Sequence, residues 1–185
     1  MTGILKVDTI QKNDGSTPTA ADLGLNVSGA VLQVISTIKT DVASTTSSSF
    51  VDVTGLSLSI TPKSASSKIF LMCNMGHFAN SNSDGNKRAH MRFTRDGSAI
   101  CVGDSGTGDE VTLTVCARSS AGEWHQFPAS ATYLDSPNTT SEVTYKVQIT
   151  RGNDAAGEAR INLPGGIDAN IGRAATTFTL MEIAG

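Results

Sequence analysis

Charged and aromatic residues are scarce in this sequence. Aspartate, glutamate, lysine and arginine make up 17% of the 185 residues, and the formal net charge is -3. A surface that neutralises nucleic-acid phosphates needs clustered lysine and arginine, so this composition argues against nucleic-acid binding. Aromatic residues account for 5% and apolar residues for 38% of the chain, which is little for a thick core. We therefore expect subunits to complete one another's burial in an oligomer.

Long hydrophobic runs and paired cysteines are also missing. No apolar run approaches the length of a membrane span, and Met1–Asp8 lacks the apolar stretch of a signal peptide. We expect a chain that is made in a cytoplasm, carries no signal peptide and does not insert into a membrane. Cys73, Cys101 and Cys116 are odd in number and lack the C-x-x-C spacing of zinc and redox sites. Because each lies in an apolar strand pattern, we interpret them as small buried hydrophobes.

Glycine, serine and threonine are plentiful, and apolar residues alternate with polar ones in short runs. From Val143 to Thr150 every second side chain is apolar, which is the period of a half-buried strand. Phe127, Ala129, Ala131 and Tyr133 alternate in the same way, and Asp135–Thr140 are turn residues. The pattern therefore predicts a long antiparallel hairpin over residues 123–150. About ten such strands predict one all-β domain over residues 31–185, an antiparallel β-sandwich that is jelly-roll-like.

Three local patterns refine this prediction. Asp96-Gly97 is a strong signal for a two-residue hairpin turn. Within Val51–Ile60 the alternation slips at Gly55, which predicts a glycine bulge that bends the strand. The strand that begins at Lys68 is apolar on both faces. A strand of this kind is either central in its sheet or pressed against a neighbouring subunit.

Residues 1–30 offer too few apolar side chains to fold alone. A short alternating run around Leu5, Val7 and Ile10 predicts an isolated strand, and Leu23 lies in a predicted helical turn over residues 17–24. We interpret residues 1–30 as an arm that attaches the chain to another protein through these four apolar side chains.

Two loops imitate known sites. Gly103–Gly106 matches the glycine-flanked serine of chymotrypsin-like proteases, but no histidine stands in a matching motif upstream, and such a run is typical of a tight loop. Asn80–Gly85 imitates the first half of a calcium loop, but its twelfth position is Met91 where a glutamate is required. The histidines have no spacing that recurs in metal sites. The sequence therefore predicts no catalytic residues, no metal and no cofactor.

Five stretches of strand and turn residues carry a resemblance that spans most of the chain: Gly3–Gln11, Gly24–Val34, Leu56–Leu71, Ala131–Pro137 and Thr179–Ile183. They resemble the tail-fibre and fibre-like virion proteins of tailed phages, cyanophages in particular. The resemblance implies a homotrimer whose arm binds the baseplate or another virion protein. It also implies a distal β-domain that contacts a glycan or lipopolysaccharide on the host surface. No repetitive shaft separates arm and domain, which indicates a short fibre.

We therefore expect a virion protein for host attachment that is not an enzyme. Receptor binding would use hydrogen bonds and aromatic stacking on a glycan, through polar loops. The candidate receptor-contact residues in those loops are Asn82, Asp84, Asn86, Asp104 and Asp109. Two alternatives stay open: a structural baseplate or capsid decoration protein without receptor binding, and a fibre-borne glycan hydrolase or esterase that uses Ser105.

Overall fold

The computed structural model describes residues 8–18, 22–23, 28–81, 87–105, 111–118, 128–152, 157–163 and 172–185. These residues contain strands and no helix, so the predicted all-β class is confirmed. Within these ranges the chain therefore has no helix that could cross a membrane. In chain order the strands are β1 (Val31–Lys39), β2 (Ala43–Thr45), β3 (Val51–Ile60), β4 (Lys68–Met75), β5 (Phe78–Asn80), β6 (Arg88–Arg95), β7 (Ser98–Ile100), β8 (Val115–Arg118), β9 (Ala129–Asp135), β10 (Val143–Thr150), β11 (Ala159–Ile161) and β12 (Thr176–Ile183).

Two antiparallel sheets form the sandwich. The first sheet has the order β1-β12-β4-β9, and the second has the order β3-β10-β6-β7. β8 also belongs to the second sheet, where it pairs with the first half of β6 while β7 pairs with the second half. The chain passes repeatedly from one sheet to the other, and the resulting strand order is that of a jelly roll. The predicted jelly-roll-like β-sandwich is therefore confirmed.

The core lies between the two sheets, where alternate side chains of each strand meet. The buried face of β10 consists of the apolar residues whose alternation predicted it, Val143, Tyr145, Val147 and Ile149. Phe178 from the first sheet and Phe93 from the second stack with their ring centroids 5.8 Å apart. Cross-sheet contacts of this kind fill the space between sheets and hold them in one relative position.

The predicted hairpin over residues 123–150 is wrong, although strands β9 and β10 both exist within it. β9 pairs with β4 in the first sheet, whereas β10 pairs with β3 and β6 in the second. Residues 136–142 therefore cross between the sheets. Alternation shows which side chains of a strand face the core, but strands of either sheet present the same alternation. A turn-rich loop is likewise compatible with a hairpin and with a crossover.

The two predicted turn features are confirmed. Asp96 and Gly97 have φ angles of 48° and 84° and join β6 to β7, as a type I′ turn requires. Gly55 has a φ of 88°, and residues 53–56 of β3 lie opposite the single residue Val147 of β10. Because only glycine adopts this backbone conformation without strain, the slip in alternation marks a true bulge.

A small third sheet of order β2-β11-β5 continues from the main strands. Asn162, which follows β11, is buried, and its Nδ2 donates to the carbonyl oxygens of Lys39 and Asp41 at 2.8 and 3.0 Å. Its Oδ1 accepts a hydrogen bond from Thr176 Oγ1 at 2.8 Å. This buried amide holds the segment between β1 and β2 in place, which matters because that segment lines a cavity.

Candidate functional site

A cavity of about 270 Å³ lies where the edge strands of the two sheets meet. β1 is the edge of the first sheet and β3 is the edge of the second. The cavity is lined by the end of β1, the segment between β1 and β2, the start of β2, the first half of β3 and one residue of β10: Lys39, Asp41, Val42, Ala43, Ser44, Val51, Asp52, Val53, Thr54 and Ile149. We call it the Lys39 cavity.

A buried cation paired with an exposed carboxylate marks this cavity. The Lys39 side chain is 4% exposed, and its Nζ lies 2.8 Å from Oδ2 of Asp41, which is 77% exposed. A charge taken out of water is costly unless a partner compensates it, and Asp41 supplies that partner. The hydrogen bond from Lys39 lowers the pKa of the Asp41 carboxyl, so Asp41 stays ionised at neutral pH. The cavity thus contains a fixed donor beside an accessible acceptor.

An ordered polar cluster adjoins the cavity through Asp52. Asp52 Oδ2 accepts a hydrogen bond from Lys146 Nζ at 2.7 Å, and its Oδ1 accepts one from Gln148 Nε2 at 2.6 Å. Gln148 Oε1 in turn accepts from Arg92 Nε at 2.8 Å, and the Arg92 guanidinium lies 4.1 Å from the ring centroid of Phe50. We call these five residues the Asp52 cluster. The hydrogen bonds from Lys146 and Gln148 lower the pKa of Asp52, which keeps this carboxylate charged.

Strand register assembles the cluster. Gln148 of β10 lies directly opposite Asp52 of β3 on one side and opposite Arg92 of β6 on the other. Directly opposed residues point to the same side of a sheet, so the three polar groups form one row on the outer face of the second sheet. Each planar group is held by its neighbour, so the row is ordered before any ligand arrives.

The site presents donors and acceptors side by side with almost balanced charge. An ammonium has three donors, a guanidinium five and an amide two donors with one acceptor oxygen, and the contacts described here use only part of this capacity. The cationic residues Lys39, Arg92 and Lys146 stand beside the anionic residues Asp41 and Asp52. Ligand pockets usually measure roughly 300–1,000 Å³. The Lys39 cavity, at about 270 Å³, lies just below this range, so it suits a small ligand group such as one sugar ring.

The structure does not assemble a serine hydrolase site from the residues that it describes. Ser105 is exposed, and its backbone N–H donates to Asp104 Oδ1 at 2.9 Å. The two described histidines are buried on other elements, His77 between β4 and β5 and His90 on β6 against Gly152. Across the described ranges, no three histidine, cysteine, aspartate or glutamate side chains form a group that could hold a metal ion.

Most of the residues predicted from the sequence to contact a receptor or the virion fall outside the described ranges. They are Asn82, Asp84, Asn86 and Asp109 among the loop residues, and Leu5 and Val7 in the arm. Much of the predicted helical turn and of the calcium-like loop also falls outside. Asp104 is exposed in the connection between β7 and β8, and Ile10 and Leu23 are exposed. These contacts therefore stay predictions.

Sequence reasoning missed the residues of the Asp52 cluster and the Lys39 cavity. In the sequence, Gln148 and Lys146 are the polar half of an alternating strand, which is the pattern of any solvent-facing side. Gln148 and Asp52 are separated by 96 residues and meet only through pairing of β3 with β10. The one available signal was the concentration of charged and amide side chains on the outward positions of these strands.

We compared the chain with models of known protein families and with curated proteins. No family model and no curated protein matches it. Function is therefore inferred from the geometry of the site and from the resemblance carried by the sequence.

Proposed function

We propose that this chain is a non-enzymatic tail-fibre protein of a tailed phage, a homotrimer that attaches the virion to a glycan on the host surface. The observation that carries the binding function is the Asp52 cluster, a partly exposed row of ordered donors and acceptors that continues into the Lys39 cavity. The resemblance to phage fibre proteins supports the virion setting. The exposed arm residues Ile10 and Leu23 support attachment of the arm to the baseplate or another virion protein.

The ligand class follows from charge and hydrogen-bonding capacity. A sugar hydroxyl both donates and accepts, so it matches a row in which carboxylate, amide and guanidinium groups alternate. Two carboxylates and one ammonium line the cavity itself, which disfavours an acidic group there. We therefore assign a neutral sugar to the Lys39 cavity, as found in the uncharged part of lipopolysaccharide or of a capsular polysaccharide.

The test measures binding of the full chain to purified polysaccharides of cyanobacteria and other marine bacteria. We expect saturable binding that Asp52→Ala weakens at least tenfold, because the variant removes the acceptor that orders Lys146 and Gln148. Ser59→Ala is the matched control. Ser59 lies on the same outer face of β3, where it hydrogen-bonds Thr144 rather than the cluster, so its loss should leave binding unchanged.

Each alternative function has its own signature in this experiment. Absence of saturable binding to every polysaccharide and to intact cells would favour a structural decoration protein. Wild-type affinity in Asp52→Ala would place the binding site elsewhere. Release of reducing sugar or of acyl groups that stops in Ser105→Ala would show a hydrolase or esterase.

A further inference from the structure

The outer face of the first sheet carries a row of apolar side chains that crosses all four strands. In the register of that sheet, Val34 of β1 lies opposite Met181 of β12, Met181 opposite Phe70 of β4, and Phe70 opposite Leu134 of β9. The four side chains therefore form one transverse row from edge to edge. We call it the apolar row.

The apolar row is exposed at both edges. Val34 is 53% exposed and Leu134 is 52% exposed, and Ile38, two rows further along β1, is 63% exposed. Phe70 and Met181 lie half-buried between them. Contiguous apolar surface of this kind is uncommon on a monomer and marks interaction sites.

The same face carries no charge in the two rows on one side of the apolar row, whereas the row on the other side contains Lys68, whose Nζ donates to Ser136 Oγ at 2.8 Å. The two rows beyond the apolar row contain serine, threonine, asparagine, methionine and isoleucine: Ser36, Thr179, Met72 and Thr132, followed by Ile38, Thr177, Asn74 and Ser130. The outer face of the second sheet, by contrast, carries Asp52, Arg92 and Lys146. The two outer faces of the sandwich thus differ in chemistry. One suits a polar ligand, and the other suits another apolar surface.

The projected area of the face is about half of the accessible surface that a stable contact buries on each partner. Four strands spaced about 4.8 Å apart give a width of about 19 Å, and the run from residue 31 to residue 38 at about 3.3 Å per residue gives about 23 Å. The product is a projected area of about 440 Å², and the accessible surface is larger because the side chains protrude from this plane. A stable interface buries about 800 Å² of accessible surface on each partner.

We propose that copies of this chain pack against one another through the apolar row and the uncharged rows beside it. In the trimer three copies turn this face toward a common axis, so faces of identical chemistry meet, and the apolar row and the uncharged rows bury no charge. The interface also explains why β4 is apolar on both sides: Ile69 and Leu71 face the core, while Phe70 and Met72 face the neighbouring copy. This inference rests on the oligomeric part of the proposed function and names the surface that forms the oligomer.

The test is the mass of the full chain in solution by multi-angle light scattering at micromolar concentration. We expect a trimer for the wild type and a monomer for the double variant Val34→Lys/Leu134→Lys. Both positions are at least half exposed, so the lysines should not disturb the core. Ser59→Lys adds one lysine to the outer face of the second sheet and should leave the trimer intact.

Two results would overturn the proposal: a monomeric wild type, or a double variant that assembles as the wild type does. If the double variant precipitates, the milder Val34→Ser/Leu134→Ser variant takes its place, with an expected loss of at least tenfold in the association constant. Wild-type association in that variant would equally overturn the proposal. Glycan binding per subunit is measured on the same samples. A wild-type trimer that binds no glycan rejects only the glycan function. A wild-type monomer that binds glycan rejects the homotrimer and with it this interface, whereas a double variant that stays trimeric rejects only this interface.

Discussion

Replacing Tyr145 with phenylalanine should destabilise the fold by about 2 kcal/mol, because the tyrosine hydroxyl is part of a hydrogen-bonded link between the two sheets. Tyr145 Oη donates to Asp135 Oδ2 at 2.7 Å, and Arg95 Nη1 donates to the two oxygens of the same carboxylate at 3.0 and 2.8 Å. Asp135 belongs to the first sheet, whereas Tyr145 and Arg95 are directly opposed in the second. The carboxylate is buried, so its partners in the other sheet compensate its charge.

The magnitude follows from what the substitution removes. Phenylalanine keeps the fully buried ring and deletes only the hydroxyl, so no large cavity forms. A hydrogen bond to a charged group contributes roughly 1.5–3 kcal/mol. Because Asp135 keeps Arg95, the carboxylate is not left unpaired, and the cost stays near about 2 kcal/mol. For a chain of this length that corresponds to a fall in melting temperature of about 4–8 °C.

Tyr133→Phe is the matched control. Tyr133 is half-buried on β9, and no hydrogen bond of its hydroxyl is found among the described residues, so its loss should change the unfolding free energy by less than about 0.5 kcal/mol. Both variants are unfolded in urea and followed by circular dichroism at one fixed subunit concentration, since the proposed assembly would make stability concentration-dependent. Equal effects of the two substitutions would refute the proposed link.

The same link predicts a dependence on alkaline pH. Burial, together with the hydrogen bond to Asp135, raises the pKa of Tyr145 above its usual value of 10.0. The folded protein therefore retains this proton at a pH where the unfolded chain loses it. The resulting stability is fully present below pH 10 and declines as the pH rises above it. The difference between wild type and Tyr145→Phe should shrink from about pH 9 to about pH 11, and a constant difference would contradict this reasoning.

Three further predictions concern backbone strain, acid stability and thiol reactivity. Gly55→Ala should lower the free energy of unfolding by about 1–2 kcal/mol, because φ at Gly55 is positive. Gly103 lies in open space and has no positive φ, so Gly103→Ala should have little effect. Equal losses of unfolding free energy in the two variants would argue against the bulge. Burial lowers the pKa of His77, so the unfolded chain binds a proton at a pH where the folded protein does not. The free energy of unfolding should therefore fall as the pH drops below 6.5, and it should fall more steeply than in His77→Gln. Parallel curves of unfolding free energy against pH for the two proteins would contradict this. Burial raises the pKa of the Cys73 thiol to about 12, so iodoacetamide should label Cys73 only after unfolding. Cys116 is exposed and should be labelled in the folded protein. Equal labelling rates of the two cysteines would show that Cys73 is accessible.

Local patterns determined much of the fold because their physical causes are local. The alternation of Val143–Ile149 reflects side chains that point to opposite faces of a strand, and burial of this face was predictable from the sequence. Asp96-Gly97 and Gly55 were predictable because positive φ angles favour particular residues. The apolar residues on both faces of β4 indicated a strand that is central or pressed against a neighbouring subunit, and β4 is central in its sheet. The virion setting stays a proposal, since it depends on a resemblance.

Only the tertiary structure decided which strands are neighbours and therefore which side chains form a site. β9 and β10 are consecutive and end in opposite sheets, because a strand takes whichever partner completes its hydrogen bonds, and its sequence does not identify that partner. Asp52, Arg92 and Gln148 are far apart in the chain and become one row through the register of β3, β10 and β6. The sequence by itself thus determined the strands, the turns and the core-facing residues, whereas long-range pairing determined the jelly roll, the polar site and the apolar row.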